Sequence, residues 1–186
     1  DAGVHATQMF AHFDLDTTFE FDKTLFKLNS YLPDAIVVHR FIKVADKAHT
    51  RFDAVKRSYE YRIVLGRNPF LLDTTWQFFH RTLDISKMNE AAKLLLAYTD
   101  FKCFSKSKTD VSTYNCDVTE AFWELNENML IFHISADRFL RNMVRAIVGT
   151  LVDVGLGKMT FQEFRAVIES RDRTKAGLSV PAKGLF

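Results

Sequence analysis

The sequence predicts an α+β fold, a mostly antiparallel sheet with helices packed on one side, and three observations carry that expectation. Strand-type runs dominate as far as Ala136, and the last two are separated by a short polar turn, which suits an antiparallel hairpin. Helical periodicity then takes over, from Phe139 to Val154 and again after Thr160. The chain has 186 residues, 47% hydrophobic and 26% charged, with seven Gly and three Pro, the composition of one sizeable folded core rather than of a disordered or collagenous chain.

Thr7 to Phe13 alternates in the manner of a first strand. Asp22 is placed to cap a short helix through Leu25, Leu28 and Leu32, which Pro33 stops, and Ile36 to Val44 is a strong β run. From Ser58 to Leu65 the residues Tyr59, Tyr61, Ile63 and Leu65 fall on one face and Ser58, Glu60 and Arg62 on the other, the signature of a half-buried strand. Ser86 is the expected cap of a helix carrying Met88, Ala91, Ala92 and Leu95 on one side and ending near Tyr98. Ser105 to Asn115 reads as a loop. Asp117 to Leu125 and Met129 to Ala136 form the expected hairpin about Asn126-Glu127-Asn128, with Leu130, Phe132, Ile134 and Ala136 pointing inward.

Phe139 to Val154 places Leu140, Met143, Val144, Ile147, Leu151 and Val154 within one arc of a helix with about 3.6 residues per turn. Its other side aligns Arg138, Arg141, Arg145 and Gly149 as a stripe of guanidiniums that ends where a missing side chain permits close approach. Thr160-x-x-Glu163 is a capping box opening a helix through Phe164, Val167 and Ile168. No repeat, low-complexity tract or interdomain linker is apparent.

The net charge of +2 conceals an asymmetry. From Arg138 onward nine Lys and Arg stand against four Asp and Glu, whereas the preceding residues carry sixteen against nineteen, so the C-terminal third is the basic face that suits a polyanionic partner. Cys103 and Cys116 form no CxxC and have no zinc-finger histidines nearby, which fits free thiols in a reducing compartment and predicts neither a disulfide framework nor structural zinc. Arg145 and Asp153 interrupt the longest apolar stretch, so no membrane span is expected and the protein reads as cytoplasmic. The six histidines make no HxxxH or HExxH pair, and GxxxxGK[ST], GxGxxG and GxSxG are missing from the sequence.

Three candidate sites emerge. In Asp1-Ala2-Gly3 a carboxylate on a turn before a strand can serve as nucleophile or base, although the same residues make an ordinary turn. The arginine stripe suits phosphate or carboxylate, with structural ion pairing as its alternative. Tyr59 and Tyr61 can stack on a base or simply belong to the core.

Together these segments resemble the tRNA pseudouridine synthase A family. The matching stretches are DAGVHA at Asp1 to Ala6, His49-Thr50-Arg51-Phe52, RSYEYRI at Arg57 to Ile63, Asp100-Phe101 and ADRFLRNMVRAIVGTLVDVG at Ala136 to Gly155. Arg171-Asp172-Arg173 and Ala182-Lys183-Gly184-Leu185-Phe186 follow in order. Gln8-Met9-Phe10 stands in place of the family's usual Gly-Gln-Val, and Glu60 where many members carry a basic residue.

The resemblance implies a pseudouridine synthase-like fold and a homodimeric, tRNA-modifying isomerase that needs no cofactor or metal. It converts uridine to pseudouridine at positions 38 to 40 of the anticodon stem-loop, breaking the glycosidic bond, turning the base and rejoining it through carbon. The family's catalytic aspartate falls on Asp1, its active-site tyrosine on Tyr59 and its active-site basic residue on Arg145, so a contact between Arg145 and Asp1 is expected. Arg51, Arg138 and Arg141 are the expected RNA contacts. Because the family has Gly-Arg-Thr before that aspartate and a further sheet half before that, residues 1–186 are read as its catalytic, C-terminal part, with both chain ends cut through structured elements. The rival classes are a non-catalytic RNA-binding module, which has no use for a carboxylate beside phosphates, and a binder of small anions.

Overall fold

The computed structural model describes residues 2–17, 20–79, 81–106 and 111–186, which divide between two compact units, one comprising Met9–Ala54 and the other residues 2–8 with Val55–Phe186.

In the smaller unit helix α1 spans Phe21–Tyr31. Its N-cap is Glu20, without a side-chain cap, and Asp22 lies inside the first turn, where a carboxylate favours the helix dipole instead of terminating it. The strands expected at 7–13 and 36–44 do not form. Alternation describes a face but supplies no partner edge, and at Val38 the groups a ladder would use are taken by a helix side chain: Asn29 donates Nδ2 to Val38 O and accepts from Val38 N, both at 2.8 Å. The matching segment His49-Thr50-Arg51-Phe52 is a knot of local bonds, in which His49 Nδ1 accepts from Arg51 N at 3.1 Å and His49 N donates to Asp53 Oδ2 at 2.7 Å.

The larger unit is built on a four-stranded sheet of β1 (Arg57–Leu65), β2 (Trp76–Phe78), β3 (Val118–Asn126) and β4 (Met129–Ala136), in the order β2-β1-β4-β3. β1 and β3 both pair antiparallel with β4, and the short β2 joins β1 parallel, so the sheet is mixed. The hairpin closes with Asn126 opposite Met129, and Glu127 takes the left-handed conformation at φ 53°. Tyr61 lies opposite Phe132, Ile63 opposite Leu130, Trp123 opposite Phe132 and Ala121 opposite Ile134, and all of these residues are buried.

Three helices complete the core on that face: α2 (Ile85–Lys93), α3 (Met143–Gly155) and α4 (Phe161–Ser170). They contribute Met88, Ala91 and Ala92, then Val144, Ile147 and Leu151, then Phe164, Val167 and Ile168 to one cluster. Asp84, not Ser86, caps α2, because its Oδ1 accepts from Lys87 N at 3.0 Å while Ser86 stands inside the first turn. That backbone bond, ahead of the Lys87 side chain, holds the Asp84 carboxyl below its usual range. The box at α4 forms as expected: Thr160 Oγ1 accepts from Glu163 N at 3.2 Å and Thr160 N donates to Glu163 Oε2 at 2.7 Å.

α3 begins four residues later than its apolar period suggests. Asn142 is left-handed at φ 67°, so residues 138–142 approach α3 as a turn, and Arg138 and Arg141 are not on the helix with Arg145. Both cysteines are free and buried; burial, then the Asp100 carboxylate, pushes the Cys103 thiol up to about 12, and burial pushes Cys116 up to about 11. Among the described residues no helix is long and apolar enough to cross a membrane. The loop expected at Ser105 to Asn115 includes residues 107–110, which lie outside the described ones.

Candidate active site

Arg145 occupies the first turn of α3, half-buried, and is tied on both sides to the segment that follows α4. Its Nε donates to Val180 O at 2.7 Å, and Val180 N donates to Arg145 O at 3.2 Å. A hydrogen bond from a charged donor in such a place is worth about 1.5–3 kcal/mol. Fixing Nε also fixes the plane in which the two terminal nitrogens lie, so the guanidinium is aimed as well as held.

Tyr61 stands beside it on the inner face of β1, fully buried, with its hydroxyl donating to Pro181 O at 2.7 Å. Burial raises its pKa above the usual phenol range, against the opposing pull of the Arg145 charge, so Tyr61 stays neutral and structural. Two residues earlier on the same face, Tyr59 is only half-buried and meets Phe139 edge to face, with ring centroids 5.1 Å apart. Of the two tyrosines the alternation singled out, Tyr59 is the one with a ring surface left accessible.

The N-terminal segment reaches the same neighbourhood. His5 N donates to Leu185 O at 2.9 Å, and the His5 ring stacks on Phe186 at 4.8 Å. Arg62 covers the Phe186 ring at 3.7 Å, and Glu60 exchanges two backbone bonds with Phe186 at 2.8 and 3.0 Å. A Cβ added at Gly3 would stand 3.6 Å from Ala182, the residue that follows Pro181. Asp1, and with it the expected contact to Arg145, lies outside the described residues.

The remaining candidates belong to other segments. Arg141 is exposed on the turn before α3 and its carbonyl accepts from Lys106 N at 3.0 Å, while Arg138 is half-buried, with its amide bonded to Asp137 Oδ1 at 2.7 Å. Arg51 belongs to the smaller unit, where it lies over the Phe52 ring at 5.6 Å. Sequence reasoning missed the partner of the stripe's last residue. A Cβ at Gly149 would fall 1.8 Å from Leu178 O, so the close approach that Gly149 allows is made by this chain's own backbone at 176–180. The glycine was the available signal; its partner lies too far along the chain for periodicity to find.

A protein of Porphyromonas gingivalis named tRNA pseudouridine synthase A is 50% identical over 190 residues, covering all of this chain and 75% of its own length. This chain belongs to the tRNA pseudouridine synthase A family. Like-named proteins of Parabacteroides distasonis and Bacillus subtilis (strain 168) are 48% and 35% identical, again over the whole chain and over 74% and 76% of their own lengths. The family model for tRNA pseudouridine synthase matches residues 91–186, the stretch that holds Arg145, Gly149 and the segment crossing them. The α+β architecture is that of the pseudouridine synthase fold, and the family is one of tRNA-uridine isomerases.

Proposed function

We propose that the protein isomerises uridine to pseudouridine in tRNA, at positions 38 to 40 of the anticodon stem-loop, with Asp1 as nucleophile, Arg145 as its charge partner and Tyr59 as the ring that receives the extruded base. The observation that carries the reading is the 50% identity, over the whole of this chain, to a protein named tRNA pseudouridine synthase A. The geometry supports it. Residues 3–5 run beside Ala182 and Leu185, Arg145 is fastened to Val180, and Tyr59 offers a half-buried ring on the neighbouring strand.

An Asp1 carboxylate oxygen forms the covalent bond to ribose or ring while the bond from C1′ to N1 breaks. The base turns, C1′ bonds to C5, the carboxylate is released, and the proton lost from C5 is balanced by one gained at N1, so that no proton is consumed overall. Arg145 keeps the carboxylate ionised and aimed, and Tyr59 stacks on the uracil and stands to take the C5 proton. The working enzyme is read as a cytoplasmic homodimer, which the sedimentation of the full-length protein checks.

Mapping pseudouridine in tRNA from cells lacking the full-length protein tests the substrate. Loss confined to positions 38 to 40 supports the proposal, and unchanged modification there rejects it.

Arg51, Arg138 and Arg141 are the proposed phosphate contacts, so tRNA affinity should fall steeply as salt rises. Arg141→Ala should weaken tRNA binding by several-fold, reduce the slope of log affinity against log salt by about one, and leave single-turnover rate on bound tRNA nearly unchanged. Affinity indifferent to salt would remove the basic face from the binding site.

A further inference from the structure

The Arg171-Asp172-Arg173 motif has had no part in the chemistry so far. We propose that Arg173 is a positioning residue, whose guanidinium fastens residues 176–180 as a strap across α3 so that the strap, in turn, fixes Arg145. This rests on the reading of Arg145 as a catalytic residue.

The strap is anchored at each step. Asp172 Oδ1 accepts from Thr174 N at 2.9 Å and turns the chain. Arg173 Nη1 then donates to Ala176 O at 3.3 Å and Gly177 O at 3.1 Å, and Nη2 donates to Ser179 Oγ at 3.1 Å. Ser179 Oγ also accepts from Asn142 Nδ2 at 2.5 Å, which ties the strap to the left-handed residue at the head of α3. About two turns further along the helix, Gly177 N donates to Thr150 Oγ1 at 2.9 Å. Thr150 Oγ1 donates in turn to Ala146 O at 2.7 Å.

Both glycines at the crossing are sterically required. A Cβ at Gly177 would meet Thr150 Cα and Gly149 C at 2.9 Å, and one at Gly149 would meet Leu178 O. The strap therefore lies directly on the α3 backbone, and its end, Val180, makes the two bonds to Arg145.

Only a planar fork with several donors can serve three acceptors spread over residues 176–179; an ammonium at the same place is a point charge that cannot span them. The effect on chemistry passes through Nε of Arg145. An unrestrained arginine spreads over many rotamers, whereas this one is held by a carbonyl whose own position Arg173 determines.

The test is a double-mutant cycle in the full-length protein, reading single-turnover pseudouridine formation and tRNA affinity. Arg173→Lys should slow turnover at least tenfold, while the tRNA Kd stays within about threefold. In an Arg145→Lys background, which keeps a charge but has no Nε–H to bond Val180, Arg173→Lys should add less than about twofold. Ser179→Ala removes one acceptor shared by Asn142 and Arg173, so it should show the same pattern at about threefold should Arg173→Lys fail to fold. Equal slowing in both backgrounds, or wild-type rates in Arg173→Lys and Ser179→Ala, would overturn the strap's role and leave Arg145 in place. Wild-type turnover by Arg145→Lys would likewise overturn positioning through Nε, and wild-type turnover by Arg145→Ala would overturn the functional reading and the strap together.

Discussion

In the full-length protein, Asp1→Asn is expected to abolish pseudouridine formation while tRNA binding survives. The two side chains have nearly the same shape, so the change makes almost no steric demand. On the proposed mechanism the amide lacks the anionic oxygen needed for the covalent bond and gives Arg145 no charge to pair with. Losing a nucleophile costs on the order of 10⁴-fold or more in rate, whereas losing one ordinary hydrogen bond costs about 1 kcal/mol, roughly fivefold. The two explanations of an impaired variant are thus separated by about three orders of magnitude. Single-turnover conversion within tenfold of wild type would show that Asp1 is not the nucleophile, and a parallel loss of tRNA affinity would make it a binding residue instead.

That variant also separates the rival classes. A plain RNA-binding module loses nothing when a carboxylate near phosphates becomes an amide, and repulsion relieved there should tighten binding. An enzyme loses its reaction and keeps its substrate.

The parts of the fold legible in the sequence are those in which one face is buried and partners are close in the chain. Tyr61 and Ile63 on β1, and Leu130, Phe132 and Ile134 on β4, are buried as their parity requires, while Tyr59 and Leu65 on the same β1 face are half-buried, and Val64 and Ser135, of the other parity, are buried too. The hairpin and the Thr160 box are local and formed where expected. The runs at 7–13 and 36–44 alternate equally well, yet alternation says nothing about a neighbouring edge, and the groups of Val38 found Asn29 first. The start of α3 was misplaced for a related reason. Leu140 fits the apolar period and is buried, but the left-handed turn at Asn142 is a backbone choice that hydrophobic spacing does not encode.

For the proposed site, face and charge alone raised Tyr59 together with Tyr61, and Arg145 within the arginine stripe; the family resemblance chose among them. What holds Arg145 was not visible in the sequence. Its bond to Val180 spans 35 residues, and Asn142 to Ser179 spans 37, distances at which neither helix nor strand periodicity carries information. Gly149 was the one local trace of that arrangement.

Gly149→Ala should therefore be destabilising, against the ordinary preference of helices. In an open helix position the change gains about 1 kcal/mol, because alanine is the better helix former. Here the added Cβ would sit 1.8 Å from Leu178 O and 3.0 Å from Leu178 C, and both are backbone atoms that cannot rotate away. The strap must lift by more than an ångström, at risk to the bonds Gly177 N to Thr150 Oγ1 and Arg145 Nε to Val180 O. Overpacking of this kind costs about 1–3 kcal/mol, occasionally more, enough to outweigh the helix gain over most of that range. At about 2–4 °C of melting temperature per kcal/mol for a domain of this size, the variant should melt several degrees below wild type. Turnover on bound tRNA should fall further than the loss of folded protein explains, since lifting the strap at Leu178 also shifts the Val180 carbonyl, two residues on, that bonds Arg145. A melting temperature equal to or above wild type would mean that the strap is not seated on α3, and with it the account of how Arg145 is held would fail.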